Sequence, residues 1–357
     1  MEPFRIAVLD ADLADLRARL ERTHFSPATA PGWAAGVDVD YLRSLVTYWA
    51  TEFDWRAAEE RLNSFPQFIA NGQHFVHVRR DSTRPPVLLG HGWPSAFLEM
   101  LPLLDLLEVD VVVPSLPGFL YSALPHEPLT RATMAKVWHS LMTETLGYER
   151  YFVFGGDIGG AVGSWLGALY PDEVAGVHMI HGPFPADFDE YPITDAEQAY
   201  QDSDELYEEE DAGYSTIMGT RPDTIAAALA DSPAGLAAWI VDKLNAWSDN
   251  HGDLESRFDR DYLCTLLTLY WVTGSIGTSF RQYFDWPQNT PRARITVPVA
   301  VTVAHEPGMA GFPRSMAERA ASDIRQYNEP RRGGHFLAYE EPALIAAELT
   351  SFMRSLD

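Results

Sequence analysis

The run Phe152-Val153-Phe154-Gly155-Gly156-Asp157-Ile158-Gly159-Gly160 constrains the fold more than any other stretch of the chain. It starts apolar and β-prone, centres on an acid flanked by glycines, and passes into a small-residue helical pattern. That order predicts a strand, a sharp turn and a helix, with the side chain at the turn lifted clear of the sheet. Glycines on both sides permit a strained backbone and a close approach of helix to strand. An elbow of this kind presents a nucleophile, here Asp157 rather than serine or cysteine. A carboxylate can attack an alkyl carbon and leave an ester that a second step must hydrolyse, so the chemistry indicated is displacement at carbon rather than peptide or ester cleavage. The same residues alone would also make a plain glycine turn before a helix, and the functional reading therefore depends on partners elsewhere.

With 357 residues, 46% of them hydrophobic, the chain can bury a large core as one domain with insertions or as two. A formal net charge of -25 repels phosphate groups, which argues against nucleic acid or an anionic membrane as partner and favours a neutral organic molecule. The single cysteine, Cys264, lies in an apolar run and reads as a buried structural thiol, with no disulfide within one chain. The N-terminus lacks the basic start and apolar stretch of a signal peptide, and no apolar run reaches the roughly twenty residues needed to cross a bilayer. The expectation is a cytoplasmic protein without a membrane partner, and composition leaves a homodimer open.

Apolar spacing divides the chain into four parts. Residues 1–80 read as a helical N-terminal segment, with helices over 10–20, 40–49 and 54–62, and a first strand pattern only at Phe75-Val76-His77-Val78. Residues 81–185 alternate strand and helix, with strands near 87–89, 109–114, 152–155 and 174–180, as in a mostly parallel sheet flanked by helices. Residues 186–292 read as a helical cap, with helices over 224–229, 236–247 and 261–273 and an acidic run at 202–211 expected to be a solvated loop or helix face. Residues 293–357 return to the core, with a strand over 297–303, a glycine loop ending in His335 and a final helix over 341–353.

These pieces resemble the α/β-hydrolase fold, and more narrowly the epoxide hydrolases of the microsomal type. In the N-terminal part the resemblance rests on Gly36-Val37-Asp38-Val39-Asp40-Tyr41-Leu42, Phe53-Asp54-Trp55-Arg56 and Leu62-Asn63-Ser64-Phe65-Pro66-Gln67-Phe68. In the core it rests on His91-Gly92-Trp93-Pro94, Gly155-Gly156-Asp157-Ile158-Gly159 and Arg332-Gly333-Gly334-His335-Phe336. It implies an α/β-hydrolase fold with a helical cap insertion and a helical N-terminal extension, and an enzyme that opens an epoxide to a vicinal diol through an ester on Asp157. Unlike the anchored members of that family, this chain is expected to start without a membrane helix.

His335, placed after the last predicted strand, is the candidate base that activates water against the ester. The backbone N–H groups of Trp93 and Ile158 are the candidate oxyanion hole. By resemblance, Tyr214 and Tyr283 supply a proton or hydrogen bond to the epoxide oxygen. The triad acid departs from the family pattern: Glu306, in Val303-Ala304-His305-Glu306-Pro307, stands one place early, while aligning on Phe312-Pro313 would put Ser315 there, which carries no charge. Glu306 is assigned to orient His335. No cofactor and no metal is implied, since no histidines cluster at ligand spacing and no glycine motif fits a phosphate loop. The substrate expected is a bulky apolar or aromatic epoxide, for which Trp239, Trp247, Trp271 and Trp286 would line the cap. Two alternatives stay open: a pathway enzyme acting on a bulky substrate by a non-hydrolytic reaction, kept alive by the displaced acid, and a haloalkane dehalogenase-like hydrolase, which would need halide donors in place of the tyrosines.

Overall fold

The computed structural model describes residues 1–184 and 192–356. Its centre is a sheet of nine strands: β1 (Glu2–Phe4), β2 (Gln67–Ala70), β3 (Gln73–Val78), β4 (Val87–Gly90), β5 (Val111–Pro114), β6 (Tyr151–Gly155), β7 (Val174–Met179), β8 (Val299–Thr302) and β9 (Ile324–Asn328). Across the sheet they run β1-β2-β3-β5-β4-β6-β7-β8-β9. The pairings from β5 through β4, β6, β7 and β8 to β9 are parallel, and those joining β1, β2, β3 and β5 are antiparallel. Every residue of β4, β5, β6 and β7 is buried, which explains why these strands read as continuous apolar runs rather than alternating ones: helices cover both faces of the sheet.

The N-terminal segment forms its three helices, Asp10–Glu21, Val39–Thr51 and Trp55–Leu62. Asp38 and Asp54 cap the second and third, accepting backbone N–H groups of Asp40, Tyr41 and Ala57. The first has Leu9 as its cap residue, without a side-chain cap, and Asp10 and Asp12 sit in its first turn, where they favour the helix dipole. The segment also supplies β1 and β2, which apolar spacing does not reveal. Both are short and owe their conformation to antiparallel pairing, β2 along β3 and β1 along β2, rather than to local preference. The segment reaches beyond the sheet as well, because Trp49 Nε1 donates to Thr268 Oγ1 at 2.9 Å and Tyr48 donates to Asp261 at 2.7 Å.

Between β7 and β8 the described residues hold helices and no strand, chiefly Asp195–Asp211, Gly213–Thr220, Pro222–Asp231, Pro233–Trp247 and Arg260–Thr273. The expected boundary at 185/186 falls outside the described residues. The acidic run lies on the first of these helices, but its last member is not solvated as expected: Asp211 pairs with the buried Lys243 and accepts from Trp247 Nε1 at 3.0 Å. The half-exposed β9 was not foreseen; its Ile-Arg-Gln-Tyr-Asn sequence is that of an edge strand. Cys264 is free and fully buried. Among the described residues no single helix is long and apolar enough to cross a membrane.

Candidate active site

The elbow is built by three close approaches at the C-terminal ends of β4 and β6. β6 ends at Gly155, the backbone turns through Asp157 at φ +49°, and the Asp157–Leu169 helix begins at that residue. A left-handed conformation costs a residue with a Cβ roughly 1–2 kcal/mol, so surrounding contacts must hold it. At Gly159 an added Cβ would lie 2.2 Å from the Gly90 carbonyl oxygen, so only glycine lets the first helical turn rest on the end of β4. At Gly92 a Cβ would lie 2.3 Å from Asp157 Oδ1. This bare turn brings the Trp93 N–H to Asp157 Oδ1 at 2.9 Å. Ile158 is the second residue of the helix, where a backbone N–H has no acceptor within the helix. His91 itself is not reactive: it is fully buried, its Nε2 accepts the Leu116 N–H at 3.1 Å, and burial pushes its pKa down to about 4.

His335 reaches the elbow on the loop after β9, which is fastened at several points. Its own N–H donates to the Trp247 carbonyl at 2.9 Å. The Glu340 carboxylate, wholly buried, accepts the N–H groups of Asp249, Gly334 and Phe336 at 2.9, 3.0 and 3.2 Å. So held, His335 places Nε2 4.0 Å from Asp157 Oδ2 and Nδ1 2.5 Å from Glu306 Oε2. Glu306 therefore occupies the position that orients the imidazole, despite its displaced place in the sequence. Ser315 lies on the Arg314–Ala320 helix, where its hydroxyl serves Glu197 instead.

The charges follow from this arrangement. Burial lowers the basicity of His335, but Glu306 and then Asp157 outweigh it and raise its pKa to about 9. Burial alone would raise Glu306; the two imidazoles beside it, His181 and His335, reverse that and hold it well below the usual carboxylate range. At neutral pH His335 is an imidazolium between two carboxylates.

Tyr214, on the Gly213–Thr220 helix, and Tyr283, in the Arg281–Phe284 turn, converge from the cap onto Trp93. Tyr214 stacks on the indole at 5.4 Å and 9°, Tyr283 meets it edge-on at 6.1 Å, and the two phenol rings lie 6.1 Å apart. Burial pushes both phenols far up, helped by the Asp157 charge and, at Tyr283, by Tyr214, so both keep their protons. The aromatic wall differs in part from expectation. Trp247 packs on Tyr214 at 5.1 Å and on His335 at 5.0 Å, and Trp239 on Phe280 at 6.4 Å. Trp271, in contrast, packs under Arg19 of the N-terminal segment, and Trp286 is 58% exposed beneath Arg131.

Two site residues escaped the sequence reading. Glu99 is buried behind the His91-Gly92-Trp93 turn, and burial pushes its carboxyl up to about 8, which makes it mostly neutral beside His335 and Asp157. His181 stands just past β7; its Nδ1 accepts the Asp157 N–H at 2.5 Å, and its Nε2 lies 2.5 Å from Glu306 Oε1 on a bent approach outside hydrogen-bond alignment. The available signal was position: a polar residue at the C-terminal end of a parallel strand faces the crevice where such sheets bind ligands. His181, Glu306 and His335 also place one donor atom each within 4.8 Å of one another, a cluster their sequence separation hides. With Glu306 already between two imidazoles, the trio reads as a proton-sharing set.

Comparison with known proteins sets the chain among epoxide hydrolases. Residues 1–100 match the family model described as "Epoxide hydrolase N terminus", and residues 85–212 match "alpha/beta hydrolase fold". A Stigmatella aurantiaca protein whose epoxide hydrolase name is itself provisional is 38% identical, over 99% of this chain and 85% of its own length. Epoxide hydrolase 1 of Sus scrofa is 30% identical, over 100% of this chain and 89% of its own. The structure of an enantioselective mutant of the Aspergillus niger epoxide hydrolase superposes with a TM-score of 0.87 at 30% identity, covering 99% of this chain and 96% of that one. The juvenile hormone epoxide hydrolase of the silkworm Bombyx mori superposes with a TM-score of 0.88 at 27% identity, covering 99% and 94%.

Proposed function

Because this chain belongs to the epoxide hydrolase family of the α/β-hydrolase fold, and is a hydrolase of epoxide ethers, we propose that it forms a vicinal diol in two half-reactions through an ester on Asp157. The observation that carries the proposal is the single carboxylate at the elbow, held by the Trp93 N–H at 2.9 Å on one oxygen and faced by His335 at 4.0 Å on the other.

In the first half-reaction a carboxylate oxygen of Asp157 attacks a ring carbon, the C–O bond of the epoxide breaks, and Tyr214 and Tyr283 meet the departing oxygen with their hydroxyls. The oxygen needs one proton, which a phenol hydroxyl gives as the C–O bond breaks, and the phenol recovers its proton from the His335 imidazolium, or from solvent where residue 335 carries none. Esterification also removes the negative charge of Asp157, one of the two anions that raise the basicity of His335. The imidazole becomes neutral when a base is next required. In the second half-reaction it takes a proton from water as the water oxygen attacks the ester carbonyl. The N–H groups of Trp93 and Ile158 receive the oxyanion. Collapse breaks the acyl C–O bond, the proton of the added hydroxyl passes to the departing alkoxide to complete the diol, and Asp157 is left as a carboxylate beside the His335 imidazolium. Trp93, Tyr214, Trp247, Phe280 and Tyr283 support a bulky apolar or aromatic epoxide as the substrate, and a cytoplasmic setting without a membrane partner belongs to the same proposal.

The test follows oxygen. With enzyme in excess over substrate in heavy-oxygen water, the first-turnover diol should be unlabelled while label enters the peptide containing Asp157. His335→Gln should trap the ester on that peptide. Heavy oxygen in the first-turnover diol, with none in the protein, would refute the covalent route.

A further inference from the structure

The trio of Glu306, His335 and His181 carries a second imidazole that the two half-reactions do not use. Glu306 meets His335 Nδ1 through Oε2 and His181 Nε2 through Oε1, each at 2.5 Å. Two lone pairs at that separation would repel, so the hydrogen belongs on His181 Nε2 although its approach to the carboxylate is bent. The other nitrogen of His181 accepts the Asp157 N–H at 2.5 Å, which excludes a proton from Nδ1. The two contacts agree on one tautomer, neutral with its hydrogen on Nε2. The ring lies beside that of His335, with centroids 4.5 Å apart and planes at 34°, and its side chain is only 12% exposed.

We propose that His181 is a positioning residue for both halves of the reaction: it fixes the strained backbone of Asp157 through Nδ1 and divides the charge of Glu306 between two imidazoles through Nε2–H. This inference rests on the proposed ester route. Its chemical reason lies in the second half-reaction. A triad acid given wholly to His335 would hold the imidazolium so firmly that the base would stay protonated after Asp157 is esterified. A second donor on the same carboxylate weakens that hold. The groups that bear on His335 are Glu306 after β8, Asp157 at the elbow, His181 after β7 and Glu99 behind the turn after β4; from the cap, Tyr200, Tyr207 and Tyr214 feel the charge of Glu306. Of these, His181 alone touches both the triad acid and the nucleophile's backbone.

The two functions separate by isosteric replacement. Asparagine offers an amide oxygen where Nδ1 stood and nothing at Nε2; glutamine reaches the Nε2 position and leaves Nδ1 empty. In rapid-quench single turnovers across pH, His181→Asn should form the ester at the wild-type rate, while the midpoint of ester hydrolysis moves up by about one pH unit with its high-pH plateau kept. Hydrolysis at neutral pH then slows by about tenfold. His181→Gln should keep the midpoint and instead form the ester several-fold more slowly, because the Asp157 N–H has lost its acceptor. An unmoved midpoint in His181→Asn, with the ester still forming, overturns the inference and leaves the covalent route standing. Absence of any ester in the wild type overturns the route itself. Imidazole nitrogen NMR of the unaltered protein gives a reading independent of how the variants fold: the Nε2–H tautomer at His181 is expected, and the Nδ1–H tautomer overturns the assignment.

Discussion

Replacing Glu306 with glutamine removes one charge from the middle of the site while nearly preserving its shape. In the native protein His335 stands at about 9, some 2.5 units above its ordinary 6.5 despite burial. At roughly 1.4 kcal/mol per pH unit, that is a preference of about 3.5 kcal/mol for the imidazolium. Glu306 is the largest favourable contributor. Without its charge, burial should carry the imidazole below its usual range, so His335 would be neutral at pH 7 before substrate arrives. Ring opening needs the Asp157 carboxylate and the phenols, and should change less than about threefold. Ester hydrolysis passes through an imidazolium that Glu306 no longer stabilises. A hydrogen bond to a charged group is worth about 1.5–3 kcal/mol, which corresponds to slowing of about 10- to 150-fold. Rapid quench with mass measurement of the intact protein would show the ester build up and decay slowly, and the hydrolysis profile would move to lower pH. Glu306→Gln that hydrolyses the ester within twofold of the wild type, or whose His335 still titrates near 9, would refute the reasoning. Ser315→Ala, by the same assay, should behave as wild type.

Further outcomes can be measured independently. Tyr214→Phe and Tyr283→Phe should each slow ester formation by about tenfold, and the double variant by 100-fold or more, with hydrolysis of a preformed ester unchanged; equal loss in both half-reactions would place the phenols elsewhere. Gly159→Ala should lose about 3 kcal/mol of stability by chemical denaturation, because its Cβ would meet the Gly90 carbonyl at 2.2 Å and backbone must move. Burial holds His74 and His178 down to about 3 and His77 and His91 down to about 4. Their neutral state stabilises the fold fully above pH 6.5 and is lost as pH falls toward those values, so Tm should drop steadily from pH 7 to pH 4. The raised His335 acts in the opposite direction: its contribution is complete below pH 6.5 and lost as pH rises through about 9, and this alkaline decline should vanish in Glu306→Gln.

What the sequence disclosed and what it hid divide by the range of the interactions. The elbow was legible because its determinants are local: an apolar strand, glycines at the points of closest approach and an acid between them. The three helices of the N-terminal segment and three of the cap, Pro222–Asp231, Pro233–Trp247 and Arg260–Thr273, were legible for the same reason, through apolar spacing. β1, β2 and β9 were not, because three to five residues carry too little periodicity and their pairing partners supply the order. The displaced Glu306 could be selected by elimination, whereas its second contact, to His181, joins residues 125 positions apart through two different strand ends. Trp271 and Trp286 illustrate the reverse error: aromatic content located a cap rich in large rings but not the direction each ring faces.

The loop bearing His335 is stapled to the end of the Pro233–Trp247 helix, through the Trp247 carbonyl and through Gly334, where a Cβ would lie 2.5 Å from that same oxygen. Tyr214 and Tyr283 hang from the same helical layer. The layer therefore cannot swing away as a simple door while the hydrolytic centre stays assembled beneath it: outward travel of the Trp247 end would pull the imidazole from Asp157 as it withdraws the phenols. Were the layer to move in that way, reaction and exchange with solvent would be successive phases of one movement. A diol departing by that route would leave the machine disarmed behind it, and the next epoxide would find nucleophile, proton donors and base restored only once the layer had settled again.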